Sequence, residues 1–397
     1  MAEYKLRELA TKRIKQGGKL VKAKDFQNED KAKHFIEGDV VILNDFDNQF
    51  LGKMLVGRQN KGVGWLITTY QDEYWNDSLV YYVLEEAFEE REAFFNSTET
   101  TAFRLFNGEG DGIGGVTIDW YDHYVQINWY SKGIYEYRHW FFEAIKQLLP
   151  EVKGVYETLR FQTDDLEPIQ LVSGAEAPDP LVVKENNLNY AVHLGESWMT
   201  GIFLDQRDVR DFIKTQANGM SVLNIFSYTG AFSVAAAVGG SDHTVSVDVA
   251  NRSIELTTEQ FALNDIKVED SKHEIRVMDV FNYLDYAAKN DITFDLIVSD
   301  PPSFARTKKK MFRVEEDYSN LAKQLFKLTN PNGMTILSTN HSGYALEDFR
   351  DDMVAATQEL NGTYYLIQQF NLPEDFPTSP DEESSYLKVL VFYREDE

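Results

Sequence analysis

Four positions in the second half of this sequence have the residue types and spacing of a ligand site. Gly230, Asp248 and Asp300 each close a short apolar run, and Asp279 opens a turn between them. A glycine after such a run lets the backbone approach a ligand closely, and a helix opening behind it aims its N-terminal amides at an anion. Asp248 can accept both hydroxyls of a ribose. Asp279 and the amide of Val280 can read the edge of an adenine. With Asp300 the set describes a pocket for an adenosyl group that carries a carboxylate. A lone glycine is usually only a turn and a lone aspartate only a cap; four in this order argue for a site. The nearest competitor, a nicotinamide dinucleotide site, wants G-x-G-x-x-G, which Phe226-Ser227-Tyr228-Thr229-Gly230 does not supply.

The surrounding pattern gives the elements that must hold these residues. Residues 222–226 read as a strand, 227–230 as a tight turn and 231–237 as a helix. A second strand over 244–247 ends in Asp248, and a helical stretch leads to Asn264. Residues 294–299 form a further strand that ends in Asp300-Pro301-Pro302, and 334–338 another that ends at Thr339-Asn340-His341. This alternation predicts βαβ units and a parallel sheet, whose ligands lie beyond the carboxyl ends of the strands. Residues 364–370 and 386–392 predict an antiparallel pair closing the sheet. Upstream, Leu204-Asp205-Gln206-Arg207-Asp208 opens a helix over the ligand, with Gln206 and Arg207 either reaching it or merely capping the helix.

Three stretches carry a family resemblance: Thr200-Gly201-Ile202-Phe203-Leu204-Asp205-Gln206-Arg207-Asp208, Asn224-Ile225-Phe226-Ser227-Tyr228-Thr229-Gly230, and Asp300-Pro301-Pro302-Ser303-Phe304. They resemble the class I S-adenosylmethionine-dependent methyltransferases related to the bacterial large-subunit ribosomal RNA cytosine-C5 methyltransferase. The resemblance covers nearly the whole chain. It implies an α/β protein with a PUA-like RNA-binding barrel over residues 1–71, an α+β middle domain over 72–185 and a Rossmann-like methyltransferase domain over 186–397. It also implies S-adenosylmethionine as cofactor, held by Gln206, Arg207, Phe226, Ser227, Tyr228, Thr229, Gly230, Asp248, Asn264, Asp279, Val280 and Asp300.

Composition bounds the rest. The 397 residues are 43% hydrophobic, enough for large cores and two or three domains. No apolar run approaches membrane-spanning length and no signal-peptide core opens the chain, so a cytoplasmic protein is expected, with no membrane partner. There is no cysteine, which excludes disulfides, thiolate metal sites and cysteine nucleophiles; no metal site is expected. The net charge of −26 argues against nucleic acid at first sight. Distribution matters more than the sum. Residues 1–34 hold ten Lys or Arg against five Asp or Glu, a local excess of five. Arg7, Lys12, Arg13, Lys15 and Lys19 there, and Arg306, Lys308, Lys309, Lys310 and Arg313 after the Asp300 strand, are the expected RNA contacts; a solvated basic face is the alternative. RNA is the expected partner, and the sequence leaves a homodimer open.

Residues 4–69 read as short strands with turns. Residues 77–96 and 136–149 read as helices flanking two strands, 116–120 and 125–129. The Gly-rich run 108–115 lacks a following Lys-Ser/Thr and precedes a strand, so it shapes a hairpin rather than a phosphate loop.

The expected catalytic residues are Asp300, Pro301, Phe304 and Asn340. Cytosine C5 is a poor nucleophile until a thiolate adds to the ring, and the resembled family places a cysteine after the fifth strand. Here Asn340 occupies that place, with His341 beside it. A base nitrogen needs no covalent help. Asp300 and the Pro301 carbonyl can hold an amino group, Phe304 can stack on a base, and Asn340 can bond its edge. The run 338–344 is similar to the cysteine-free sequence at this place in ribosomal guanine-N7 methyltransferases. A nitrogen such as guanine N7 is therefore the expected target, against cytosine C5 by overall resemblance. A small-molecule or protein methyltransferase and a non-catalytic RNA chaperone are the alternatives; the basic clusters count against the first and the intact Asp300-Pro301-Pro302 against the second.

Overall fold

The computed structural model describes residues 1–268, 272–306 and 311–395. They form two compact units: Met1–Val183 with Val192–Thr200 and Glu374–Ser385, and Lys184–Ala191 with Gly201–Pro373 and Tyr386–Glu397.

The first unit holds two five-stranded sheets. One, built from Glu3–Lys5, Leu20–Val21, Val40–Asn44, Phe50–Gln59 and Gly62–Thr68, encloses a core that includes Leu6, Phe26, Leu43 and Met54. The strand-and-turn reading of this region missed a helix, Glu8–Lys15. It forms because Ala10 and Ile14 lie one turn apart and bury in that core. The second sheet orders Ile169–Gly174, Gly154–Leu159, Tyr124–Trp129, Val116–Tyr121 and Ala102–Asn107, and the helices Asp77–Glu90 and Arg138–Leu148 pack their apolar faces on it.

Residues 374–385 return to this unit from far along the chain, and buried carboxylates hold them there. Asp381 accepts from the amides of Lys19 at 2.6 Å and Leu20 at 2.9 Å. Asp375 accepts from the Arg104 amide at 2.8 Å, and its carbonyl from the buried Arg91 guanidinium at 2.9 Å.

The second unit is a seven-stranded sheet. Its strands are β1 (Ser221–Ile225), β2 (His243–Asp248), β3 (His273–Val277), β4 (Phe294–Ser299), β5 (Thr329–Thr339), β6 (Thr363–Phe370) and β7 (Lys388–Glu395). The order is β3-β2-β1-β4-β5-β7-β6, parallel except for β7, which runs antiparallel to both β5 and β6. The helices are α1 (Arg207–Gln216), α2 (Ala231–Val238), α3 (Ser253–Ala262), α4 (Val280–Lys289), α5 (Val314–Leu328) and α6 (Leu346–Gln358). The central strands read as continuous apolar runs because both faces are covered. Strand order reverses between β1 and β4, the place where such sheets open a ligand crevice. Among the described residues no helix is long and apolar enough to cross a membrane.

Candidate active site

Register brings the expected residues to one edge. Ile225 of β1 lies opposite Val247 of β2 and Ser299 of β4, and Ser299 opposite Leu337 of β5. The next residues on each strand, Phe226, Asp248, Asp300 and Ser338, therefore leave the sheet at the same level. Asp248 in turn pairs with Val277 of β3, two residues before Asp279.

The turn after β1 is strained. Phe226 and Tyr228 adopt left-handed backbone, with φ of 56° and 51°, and Gly230 follows at 77°. Side chains rarely accept that region, and strain of this kind persists where surroundings impose it. At Gly230 any side chain is also blocked: a Cβ would lie 2.5 Å from Thr257 Cγ2. The Tyr228 amide donates to Asp248 Oδ2 at 3.0 Å, and the Ala250 amide to Oδ1 at 2.9 Å. Asp248 is thus aimed by two backbone donors, and a carboxylate retains further acceptor capacity.

The segment before α1 closes on this turn. Thr229 Oγ1 donates to the Gly201 carbonyl at 2.8 Å, and the rings of Phe203 and Tyr228 lie 5.4 Å apart. Gln206, only 3% exposed, donates its amide to Asp300 Oδ2 at 3.1 Å and to Ser338 Oγ at 2.8 Å. Its placement follows from Arg210, one turn on, which holds the Phe203 carbonyl at 2.8 Å while both ends of its fork meet Glu185 at 2.6 Å. Arg207 is buried at the start of α1, its Nε 3.7 Å from Asp208.

Asp300 is electrostatically perturbed by its burial at this edge. Burial pushes its carboxyl up to about 6, and nearby Asp205 adds to this, against bonds from Ser338 and Gln206 that favour the charged form. Oδ1 of Asp300, Oε1 of Gln206 and Oγ of Ser227 are buried without a hydrogen-bond partner among the described residues. Orphaned polar atoms of this kind are uncommon and call for a ligand or ordered water. Beyond Asp300, Phe304 is 53% exposed, and Ser303 Oγ donates to Asn340 Oδ1 at 3.1 Å. That bond links the loops after β4 and β5.

Some expected residues do other work. Asn264 is a structural tie: its amide bonds the Asn189 amide and carbonyl and the Gln260 carbonyl. Asp279 caps α4, accepting from the Asn282 amide at 3.1 Å, with Val280 buried behind it. His341 Nδ1 accepts from the Gly343 amide at 3.0 Å and Nε2 lies 3.5 Å from Glu315, so its ring is engaged within its own turn and α5. The N-terminal basic cluster is paired in place. Arg7 meets Glu29 at 2.9 Å, Lys12 meets Glu8 at 2.8 Å, Lys15 meets Asp45 at 2.8 Å, and Arg13 bridges Asp25 and Asp381. Arg306 ends the short strand Phe304–Arg306; Lys308, Lys309 and Lys310 lie outside the described residues. Among the described residues Asp179, His193 and Glu196 form a group of metal-ligating type, with His193 Nδ1 2.6 Å from Asp179 Oδ1.

Other contributors were not foreseen. Phe281 and Phe312 stand 5.7 Å apart and within 6.5 Å of Phe226, an apolar wall beside the turn. Tyr318 of α5, fully buried, donates to the carbonyls of Ser299 and Ser338 and straps β4 to β5. In sequence they are indistinguishable from core positions of amphipathic segments.

Residues 158–393 match the family model described as S-adenosylmethionine-dependent methyltransferase, and residues 5–69 one for a PUA-like domain. A Bacillus subtilis protein, provisionally named ribosomal RNA large subunit methyltransferase YwbD, is 46% identical over 98% of both chains. Ribosomal RNA large subunit methyltransferase I of Alteromonas mediterranea is 31% identical over 89% of both. The crystal structure of SMU.776, described as a methyltransferase complexed with SAH, superposes with a TM-score of 0.91 at 37% identity, covering 99% of this chain and all of that one.

Proposed function

Because the chain belongs to the S-adenosylmethionine-dependent methyltransferases, we propose that it methylates a base nitrogen of large-subunit ribosomal RNA. One observation carries the choice of atom: the 397 residues contain no cysteine. A C5 target would need a thiolate to raise its nucleophilicity, whereas a purine ring nitrogen already has its lone pair. The PUA-like match and the ribosomal names of the relatives support RNA as substrate.

S-adenosylmethionine supplies a methyl group on an electrophilic sulfonium. The residues at the sheet edge suit it. Three buried polar atoms, on Ser227, Gln206 and Asp300, lack partners among the described residues, and a ligand that satisfies one removes a desolvation penalty of about 1–3 kcal/mol. Asp248 would take the ribose hydroxyls, and the wall of Phe226, Phe281 and Phe312 would face the adenine.

On the acceptor side, the exposed ring of Phe304 offers a stacking surface, and Asn340, steadied by Ser303, offers an amide for a base edge. Asp300 lies between the two sides. At neutral pH its carboxylate is ionised and can hold an exocyclic amino group, which turns the base. The protein's contribution is alignment and the exclusion of water.

The test is nucleoside mass spectrometry of unmodified large-subunit ribosomal RNA incubated with the purified protein and its cofactor. Methylation of a guanine or another base nitrogen is expected. 5-Methylcytidine, or a covalent complex with RNA carrying 5-fluorocytosine, would overturn the choice of atom. Methyl transfer only to protein or small molecules would overturn the choice of substrate.

A further inference from the structure

A cavity in the first unit has no part in the reading above. Its volume is about 760 Å³, the size of a small-molecule site. Its floor is aromatic. Phe95 meets Trp120 with ring centroids 5.0 Å apart, Phe94 stacks on Phe103 at 5.1 Å, and Trp120 is only 5% exposed. The lining includes five carboxylates, Glu89, Glu92 and Asp122 among them, and no Lys or Arg. Such a lining offers several charged acceptors to a cation beside an apolar floor. A further group at the site lacks a partner: His123 Nδ1 is buried with no hydrogen bond among the described residues, its ring 5.5 Å from Trp120.

We propose that this cavity binds a linear alkyl polyamine. Each element of the lining has its counterpart in that chemistry. Ammonium groups meet the carboxylates, methylene segments lie on the rings, and an ammonium over an aromatic face gains a cation–π contribution. With its proton on the other ring nitrogen, His123 Nδ1 accepts from an ammonium N–H. A bare divalent ion makes no use of the aromatic floor, and an anion is repelled.

Spermidine is the probe, titrated calorimetrically into the full chain at about 0.15 M salt, where exposed charges more than about 8 Å away are screened. That condition matters because a net charge of −26 attracts polycations everywhere. Saturable binding of one equivalent is expected. Glu89→Gln with Glu92→Gln, both exposed, should weaken it about tenfold or more. Glu255→Gln with Asp285→Asn, exposed carboxylates elsewhere, should leave it unchanged. Binding that does not saturate, that responds equally to both pairs, or that magnesium displaces at equal charge concentration would overturn the proposal.

Discussion

The buried pair of Glu185 and Arg210 should stabilise the catalytic unit and, separately, set the position of Gln206. The two side chains are 1% and 2% exposed and share two bonds of 2.6 Å, and Arg210 gives a third, of 2.8 Å, to the Phe203 carbonyl. Arg210→Met alone leaves a buried carboxylate without its partner, which costs about 3–5 kcal/mol. Glu185→Leu with Arg210→Met removes both charges, and the Phe203 carbonyl keeps its bond from the Gln206 amide at 3.2 Å, so the lost bond costs about 0.5–1.5 kcal/mol. The double variant should therefore be the more stable of the two, by about 3 kcal/mol. Its catalysis should still suffer. Phe203 precedes the turn Leu204–Gln206, and Gln206 is the residue that bonds Asp300 and Ser338. A shift of about 1 Å at such a site can lower turnover on the order of a hundredfold. Calorimetric scans with and without S-adenosylhomocysteine identify the catalytic unit, since only its transition rises with ligand. Equal destabilisation of the single and double variants would refute the charge-burial argument. A double variant with parental kcat would refute the link to Gln206.

Three further outcomes follow from particular contacts. Gly230→Ala should lose about 1–2 kcal/mol to left-handed backbone plus about 1–3 kcal/mol to the contact with Thr257 Cγ2, and adding Thr257→Ser should restore only the second part in denaturant titrations. Asp300, raised to about 6 from 3.8, binds a proton more tightly folded than unfolded, so its stabilising contribution is full below 3.8 and is lost as pH rises through about 6; Asp300→Asn should flatten that dependence in melting scans, and should also remove the rise of kcat/KM through about pH 6 that an ionised Asp300 predicts. Lys12→Ala should reduce the salt dependence of RNA binding without loss of stability, since Lys12 is 61% exposed and paired only with Glu8, whereas Arg13→Ala should destabilise the first unit because Asp381 is 1% exposed.

Legibility of the site followed the range of the interactions. The placement of Gly230, Asp248 and Asp300 at one edge was readable because each lies where an apolar run meets a turn, and parallel strand ends converge whatever the rest of the chain does. The tie that Asn264 makes was not readable because its partner, Asn189, is 75 residues away. The basic cluster was recognised by residue type, but its compensation was not: Arg13 meets Asp381 across 368 residues. The same separation hid the return of residues 374–385 to the first unit. Arg210 and Tyr318 could not be singled out, because an arginine and a tyrosine on amphipathic helices ordinarily face water or pack in a core. Only the fold places one beneath the Phe203 carbonyl and the other between two strand ends.

These placements bear on how little chemistry the proposed reaction asks of the protein. The chain has no cysteine, and the imidazole of His341 is engaged by Gly343 and Glu315. What the edge offers instead is position. Tyr318 fixes the ends of β4 and β5, Gln206 ties Asp300 to Ser338, and the bond from Ser303 to Asn340 joins the loops that would receive the base. Asp300 is the residue common to both: Gln206 bonds it, and the segment bearing Phe304 follows it in the chain. A cytosine carbon would need more than this, because its nucleophilicity must be made by a covalent step. A base nitrogen needs only to be brought in line with the methyl group and kept from water, which is the demand that the proposed reaction places on this thiol-free edge.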